Sequence, residues 1–136
     1  MATDDPSAVL PDKIKQLDQP YLMFGAAPGN CSPEGGNAQA IFEAADGKTQ
    51  LIDFPKANHM DWVDLAQSGT IGGFGGSFCG GQSGVPEDVH RITMRTQVAW
   101  LKRHLEGLQV DEAFFDPKGS MLGADVASGL CIISLR

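Results

Sequence analysis

The sequence predicts an α/β fold, an open sheet with parallel strands and helices packed against it. Three observations predict it: two short apolar runs bounded by Pro and Gly, a helix-forming stretch between them, and a longer amphipathic stretch near residues 88–106. Strand, loop, helix and strand in that order form a βαβ unit, and its crossover implies parallel pairing. At 136 residues the chain has room for one ordinary domain, or part of one, and not for two.

Residues 1–19 hold Pro6, Pro11 and several Asp and Lys. Such a composition buries too little apolar surface to order itself, so a flexible N-terminal segment is expected. Pro20 then precedes Tyr21-Leu22-Met23-Phe24-Gly25-Ala26, an apolar run without alternation that suits a strand buried on both faces. A loop follows, rich in Pro and Gly from Ala27 to Gly36, after which Asn37 can cap a helix over Ala38 to Ala45, with Gly47 as its stop. Thr49-Gln50-Leu51-Ile52-Asp53-Phe54 reads as the second strand and Pro55 closes it.

Lys56 to Val89 is a loop of more than 30 residues, Gly-rich from Gly69 to Gly84. Loops of that length in compact domains are usually functional. The helix from about Asp88 to Glu106 carries Met94, Val98, Leu101 and Leu105 at helical spacing and ends at Gly107. These four residues are expected to face the sheet. The tail, 108–136, has no readable period until Gly129 to Leu135, which suits either a strand or an apolar end.

Composition excludes several function classes. Net charge is −7, with acidic residues scattered and no basic stripe, so nucleic acid is a poor partner. No apolar run approaches the roughly 18 residues of a membrane span. The first residues resemble neither a signal nor a transit peptide, and location is otherwise open. Cys31, Cys79 and Cys131 are too few and too irregular for a disulfide framework or a zinc site, and no metal or other cofactor is expected.

The chemistry centres on His59. In open α/β sheets catalytic groups sit on loops at the carboxyl ends of strands, and His59 lies five residues beyond Phe54. Taken without its neighbours it is a surface-loop histidine. As a general base it would need a neutral imidazole, a nucleophile to deprotonate and a carboxylate to hold its tautomer. His90 and His104 read as helix-surface residues.

The segment Phe54-Pro55-Lys56-Ala57-Asn58-His59-Met60-Asp61-Trp62 resembles the histidine loop of the chlorophyllases and related α/β-hydrolases, whose catalytic His also precedes Met-Asp. Asn30-Cys31-Ser32-Pro33-Glu34-Gly35-Gly36-Asn37, followed by Ile41-Phe42-Glu43, is similar to that family's Cys-Ala-Pro-Glu-Gly-Val-Asn loop and following helix. Cys79 in its Gly-rich segment and the helix Val98 to Gly107 match in kind, so the resemblance covers about Pro20 to Gly107. Dienelactone-hydrolase-like esterases share this layout. The resemblance implies the last parallel strands and flanking helices of an α/β-hydrolase sheet, a partial domain over 20–107. It also implies a serine carboxylic-ester hydrolase, acting in chlorophyllases on the phytyl ester of chlorophyll.

The nucleophile elbow of that fold, Gly-x-Ser-x-Gly between a strand and a helix, does not precede His59. Ser77-Phe78-Cys79-Gly80-Gly81 comes after the histidine and follows Gly72 to Gly76 where a buried strand is needed, so Cys79 is a poor nucleophile. For the acid, Asn30 stands where many of these hydrolases place an Asp, and Asn cannot hold an imidazolium by ion pairing. Asp53, Asp61 and Asp64 are the nearby carboxylates. Asn30 and Asp61 are expected to order their loops. The resemblance further suggests that Cys31 and Cys79 lie close enough for a disulfide; two buried thiols are the alternative.

The expectation is therefore a C-terminal hydrolase portion, inactive alone, that acts on an ester only when completed. A non-catalytic structural or binding subunit, for instance in a pigment-associated complex, is the alternative. Either way the strand at Tyr21 leaves one sheet edge for another chain, a second copy or the N-terminal segment to cover.

Overall fold

A computed structural model describes residues 19–27, 38–45, 48–62, 85–107 and 122–136. These form strand β1 (Tyr21–Ala26), helix α1 (Ala38–Ala44), strand β2 (Thr49–Phe54), a 3₁₀ turn (His59–Trp62), helix α2 (Pro86–Leu105), helix α3 (Gly123–Ala127) and strand β3 (Ile132–Leu135). The expected N-terminal segment up to residue 18, the Asn37 cap, the Gly47 stop and the Gly-rich part of the long loop lie outside the described residues.

Among the described residues the sheet has three strands in the order β1-β2-β3. β1 and β2 run parallel with Tyr21 opposite Thr49 and Ala26 opposite Phe54, as the crossover through α1 requires. β3 pairs antiparallel on the other side of β2, with Ile133 opposite Ile52, so the sheet is mixed. The 108–136 stretch therefore ends in a strand at one side of the described sheet, and Arg136 N–H extends the ladder to the Thr49 carbonyl at 2.9 Å.

Which strand is buried differs from the sequence expectation. β2 has neighbours on both sides, and every residue but Asp53 is buried. β1 is half-buried along its length except at Gly25, because it forms one side of the described sheet. An apolar run without alternation does not distinguish a central strand from an edge strand.

Side-chain alternation divides β2 between two layers. Ile52 and Phe54 face a core built with Val89, Ile92 and Ala99 of α2, Leu122, Cys131 and Ile133, and Leu22, Phe24 and Ala26 of β1 pack against it. Leu51, fully buried, points to the other face, where α1 packs across β1 and β2 with Phe42 inward.

Helix α2 opens with Pro86 at its first turn and Glu87 and Asp88 beside it, and closes with Lys102, Arg103 and His104. Fixed φ at the start and charges that oppose the helix dipole at both ends favour these boundaries. Gly107 follows at φ 63°, a left-handed position that a side chain would strain. The apolar face is a correction. Val89, Ile92, Thr93, Thr96 and Ala99 face inward, whereas Met94, Val98, Leu101 and Leu105 are 60%, 46%, 51% and 77% exposed. The two hydroxyls on this face are satisfied: Thr96 donates to the Ile92 carbonyl at 2.7 Å and Thr93 accepts from Trp62 at 3.1 Å.

Two polar contacts tie the ends of the fold together. Arg91 of α2 reaches Asp125 of α3 at 2.7 Å and Asp88 at 2.9 Å. These hydrogen bonds, Asp125 first, hold the guanidinium in its charged form. Arg136 lies 5.8 Å from the centre of the Phe42 ring and donates to the carbonyls of Phe42, Glu43 and Ala45, completing the C-terminal end of α1. Helix α3 ends in a paired turn, with Leu130 N–H to the Asp125 carbonyl and Gly129 N–H to that of Val126, both 3.0 Å. Gly129, at φ 70°, turns the chain into β3.

Candidate functional site

The candidate site grows from the carboxyl ends of the two parallel strands. Beyond Phe54, Pro55 and Lys56 turn the chain, and Ala57 N–H returns to the Phe54 carbonyl at 3.0 Å. The Ala57 carbonyl then accepts Ala27 N–H at 3.1 Å, binding this loop to the residue that leaves β1. The histidine loop is thus fastened to both strands before the histidine is reached.

Asn58 starts the 3₁₀ turn, and Asp61 closes it from within. Asp61 N–H donates to the Asn58 carbonyl at 3.1 Å, and Asn58 N–H donates to Asp61 Oδ2 at 2.8 Å. A carboxylate three residues on that reaches back to the first N–H is half of a capping box. The Asp61 residue is fully buried. Trp62 follows, its ring edge-on to Phe54 with centroids 5.6 Å apart and its Nε1–H bonded to Thr93 Oγ1 at 3.1 Å. The turn is anchored to β2 through a ring and to α2 through a hydrogen bond.

His59 is exposed in this turn. A 3₁₀ turn takes three residues, so positions two apart point in different directions. Asp61 is directed inward onto backbone, and His59 outward at the end of the sheet where loop-borne chemistry collects in open α/β folds. Such an imidazole can accept a proton from a group brought against that end. Asp61 shapes the loop and does not share the outward side of the turn with His59.

The remaining sequence candidates fall apart in space or outside view. Asn30, Cys31 and Cys79, with the suggested disulfide, lie outside the described residues, as does Asp64. Cys131 is a free, buried thiol pushed up to about 11, by burial first and the Asp125 charge second. His90 and His104 lie on α2; the His104 ring meets that of Trp100 at a tilt of 47°, with centroids 4.2 Å apart. Burial and the charges of Arg103 and Lys48 lower its pKa from the usual value. Among the described residues no three His, Cys, Asp or Glu side chains converge as metal ligands. No helix among them is long and apolar enough to cross a membrane.

Asp53 is the carboxylate that sequence reasoning left without a place. It pairs in register with Gly25, and its Oδ1 lies 2.5 Å from where a β-carbon on Gly25 would stand. Gly25 makes room for this side chain. Burial raises the Asp53 carboxyl above its ordinary 3.8, with the Phe54 backbone hydrogen bond acting in the opposite direction. Thr93 was also missed, since a Thr within a helix carries no signal that a Trp thirty-one residues earlier will bond it.

Comparison of the chain with protein-family models, curated proteins and solved structures gave no match. The functional reading therefore stands on this loop and its setting.

Proposed function

We propose that this chain supplies the general base of a carboxylic-ester hydrolase, His59, to a site whose nucleophile is carried by sequence outside these residues. The observation that carries the reading is the exposed His59, held at the carboxyl end of two parallel strands on a turn anchored by Asp61 and Trp62. In this role the neutral imidazole takes the proton of a serine hydroxyl as its oxygen attacks the ester carbonyl, and returns that proton to the departing alcohol. A base must hold its position through both transfers, and a turn fixed at three points provides that. The partial α/β-hydrolase fold belongs to the same proposal, with β1 and β2 as the last parallel strands and α2 as the helix after the histidine loop.

The outer side of β1 supports the partner that the proposal requires. Within the described sheet this edge has no neighbour, and its residues Leu22, Met23 and Phe24 are only half-buried. An apolar strand edge of six residues templates further pairing. The remaining sheet, with the serine elbow, would add there, on a longer version of this polypeptide or on another chain.

The test uses the protein in its native association. The isolated chain is expected to show no fluorophosphonate labelling and no p-nitrophenyl butyrate turnover. Turnover by the isolated chain that is lost in His59→Ala would place the nucleophile within it and overturn that part of the proposal. The native assembly should hydrolyse the ester, label on a serine elsewhere, and lose about a thousandfold or more of kcat in His59→Ala. Hydrolysis indifferent to His59→Ala, or none, decides for a non-catalytic subunit that joins its partner through the β1 edge.

A further inference from the structure

We propose that the outer face of α2 is a docking surface for an acidic amphipathic helix of a partner protein. Met94, Val98, Leu101 and Leu105 stand four, three and four residues apart and are all about half exposed or more. That spacing keeps them on one line along about three turns of helix. The opposite line, Val89, Ile92, Thr96 and Ala99, is the one spent on the sheet. The helix thus has two apolar faces and only one is covered among the described residues. A continuous exposed apolar line on a folded domain marks an interaction surface more often than isolated exposed residues do.

Charge selects the occupant. From Val89 to Leu105 the helix has no acidic residue and four cations, Arg91, Arg95, Lys102 and Arg103, in a chain whose net charge is −7. Arg91 is held by Asp88 and Asp125. Arg95 and Lys102, both exposed and seven residues apart, lie along one flank of the stripe, with Glu106 following at the C-cap. His90, Gln97 and His104 occupy the other flank.

A second copy fits this pattern poorly. Antiparallel pairing sets like flanks together, so Arg95 and Lys102 would meet Lys102 and Arg95 of the other copy. Parallel pairing would set them against Gln97 and His104, which offer no carboxylate. Residues at these flanking positions decide partner choice in paired helices. An anionic bilayer would meet the cations, but an apolar line of about 17 Å offers it little to insert. A helix with Leu-type residues on one face and Glu or Asp along its flank satisfies both the stripe and the cations.

The stripe faces away from the sheet and from Thr93, which holds the His59 turn, so the docking proposal does not depend on the ester-hydrolase reading. The probe is a fluorescein-labelled helical peptide of about three heptads with Leu at the two core positions and Glu at the flanking ones; a twin carries Lys in place of Glu. Anisotropy titration of the full chain should show the Glu peptide binding and the Lys twin binding roughly tenfold or more weakly. Added salt should narrow the difference. Val98→Ser with Leu101→Ser should abolish binding while leaving the thermal transition in place, since both side chains are exposed. Arg95→Glu with Lys102→Glu should reverse the preference toward the Lys twin, an outcome that a merely sticky patch would not produce. Equal binding of the two peptides, or binding of neither, overturns the proposal. So do self-association abolished by the serine pair, and stronger binding to phosphatidylserine vesicles than to the Glu peptide.

Discussion

Asp61 accepts the backbone N–H of Asn58 through Oδ2 at 2.8 Å, from a position with no solvent exposure. The consequence reaches His59, which lies between these two residues and is presented outward because its neighbour is drawn inward. Asp61→Ala removes the acceptor of a part-buried N–H and should lower stability by about 1–2 kcal/mol. Asp61→Asn keeps an acceptor of the same shape and should cost less. Urea denaturation of the two variants checks the order, and faster hydrogen exchange at the Asn58 amide in Asp61→Ala checks the location.

Trp62 and Thr93 form the second anchor of the same turn. Trp62→Phe keeps a ring against Phe54 and loses the Nε1–H donor, so it should cost about 1 kcal/mol, as should Thr93→Val. Because the two changes remove one bond, the double variant should cost less than their sum by about 1 kcal/mol. Strict additivity in a double-mutant cycle would mean that the bond contributes nothing.

Gly25 and Asp53 share one space in the β1–β2 pair. Gly25→Ala forces a β-carbon against the Asp53 carboxylate and should destabilise by about 1–3 kcal/mol. Burial raises the Asp53 pKa in the folded state, so its protonated form is the one that folding favours. The associated stability is present below the ordinary 3.8 and is lost as pH rises through the folded value. At neutral pH the carboxylate is a cost, and Asp53→Asn should raise the melting temperature there, with the gain shrinking as pH falls toward that range. A melting temperature lowered by Asp53→Asn at neutral pH would contradict this.

Cys131 gives the opposite end of the pH scale. Its thiol is raised from 9.0 to about 11 in the fold, so the stability linked to it is complete below about 9.0 and lost as pH climbs toward 11. The loss should be on the order of 2 kcal/mol and absent in Cys131→Ala, as denaturation series between these pH values would read. With Cys31 and Cys79 replaced by Ser, the remaining thiol should react with a disulfide reagent at pH 8 only as fast as the protein opens.

Much of the local structure was legible before the fold was known. Pro20 and Pro55 frame the two strands that pair in parallel, because proline limits both its own φ and the residue before it. Gly107 marked the end of α2 because its left-handed φ admits few other residues. His59 was placed after β2 by counting along the chain.

The inward face of α2 was not legible. The strongest apolar period in its sequence, Met94 to Leu105, is the exposed one, and a mixed line of Val, Ile, Thr and Ala lies on the sheet. Periodicity determines that a helix has an apolar line, but burial is non-directional and does not say which of two lines is chosen. The antiparallel seat of β3 belongs to the same class, since strand order depends on pairs distant in sequence. The sequence alone determined β1, α1, β2 and α2 and the Pro and Gly residues near their ends, but neither the 3₁₀ turn nor α3, and it left β3 open between a strand and an apolar end. Only the folded structure decided which face of each is hidden and that Asp61 turns inward while His59 turns out, because packing between elements and the satisfaction of polar groups depend on neighbours that periodicity does not name.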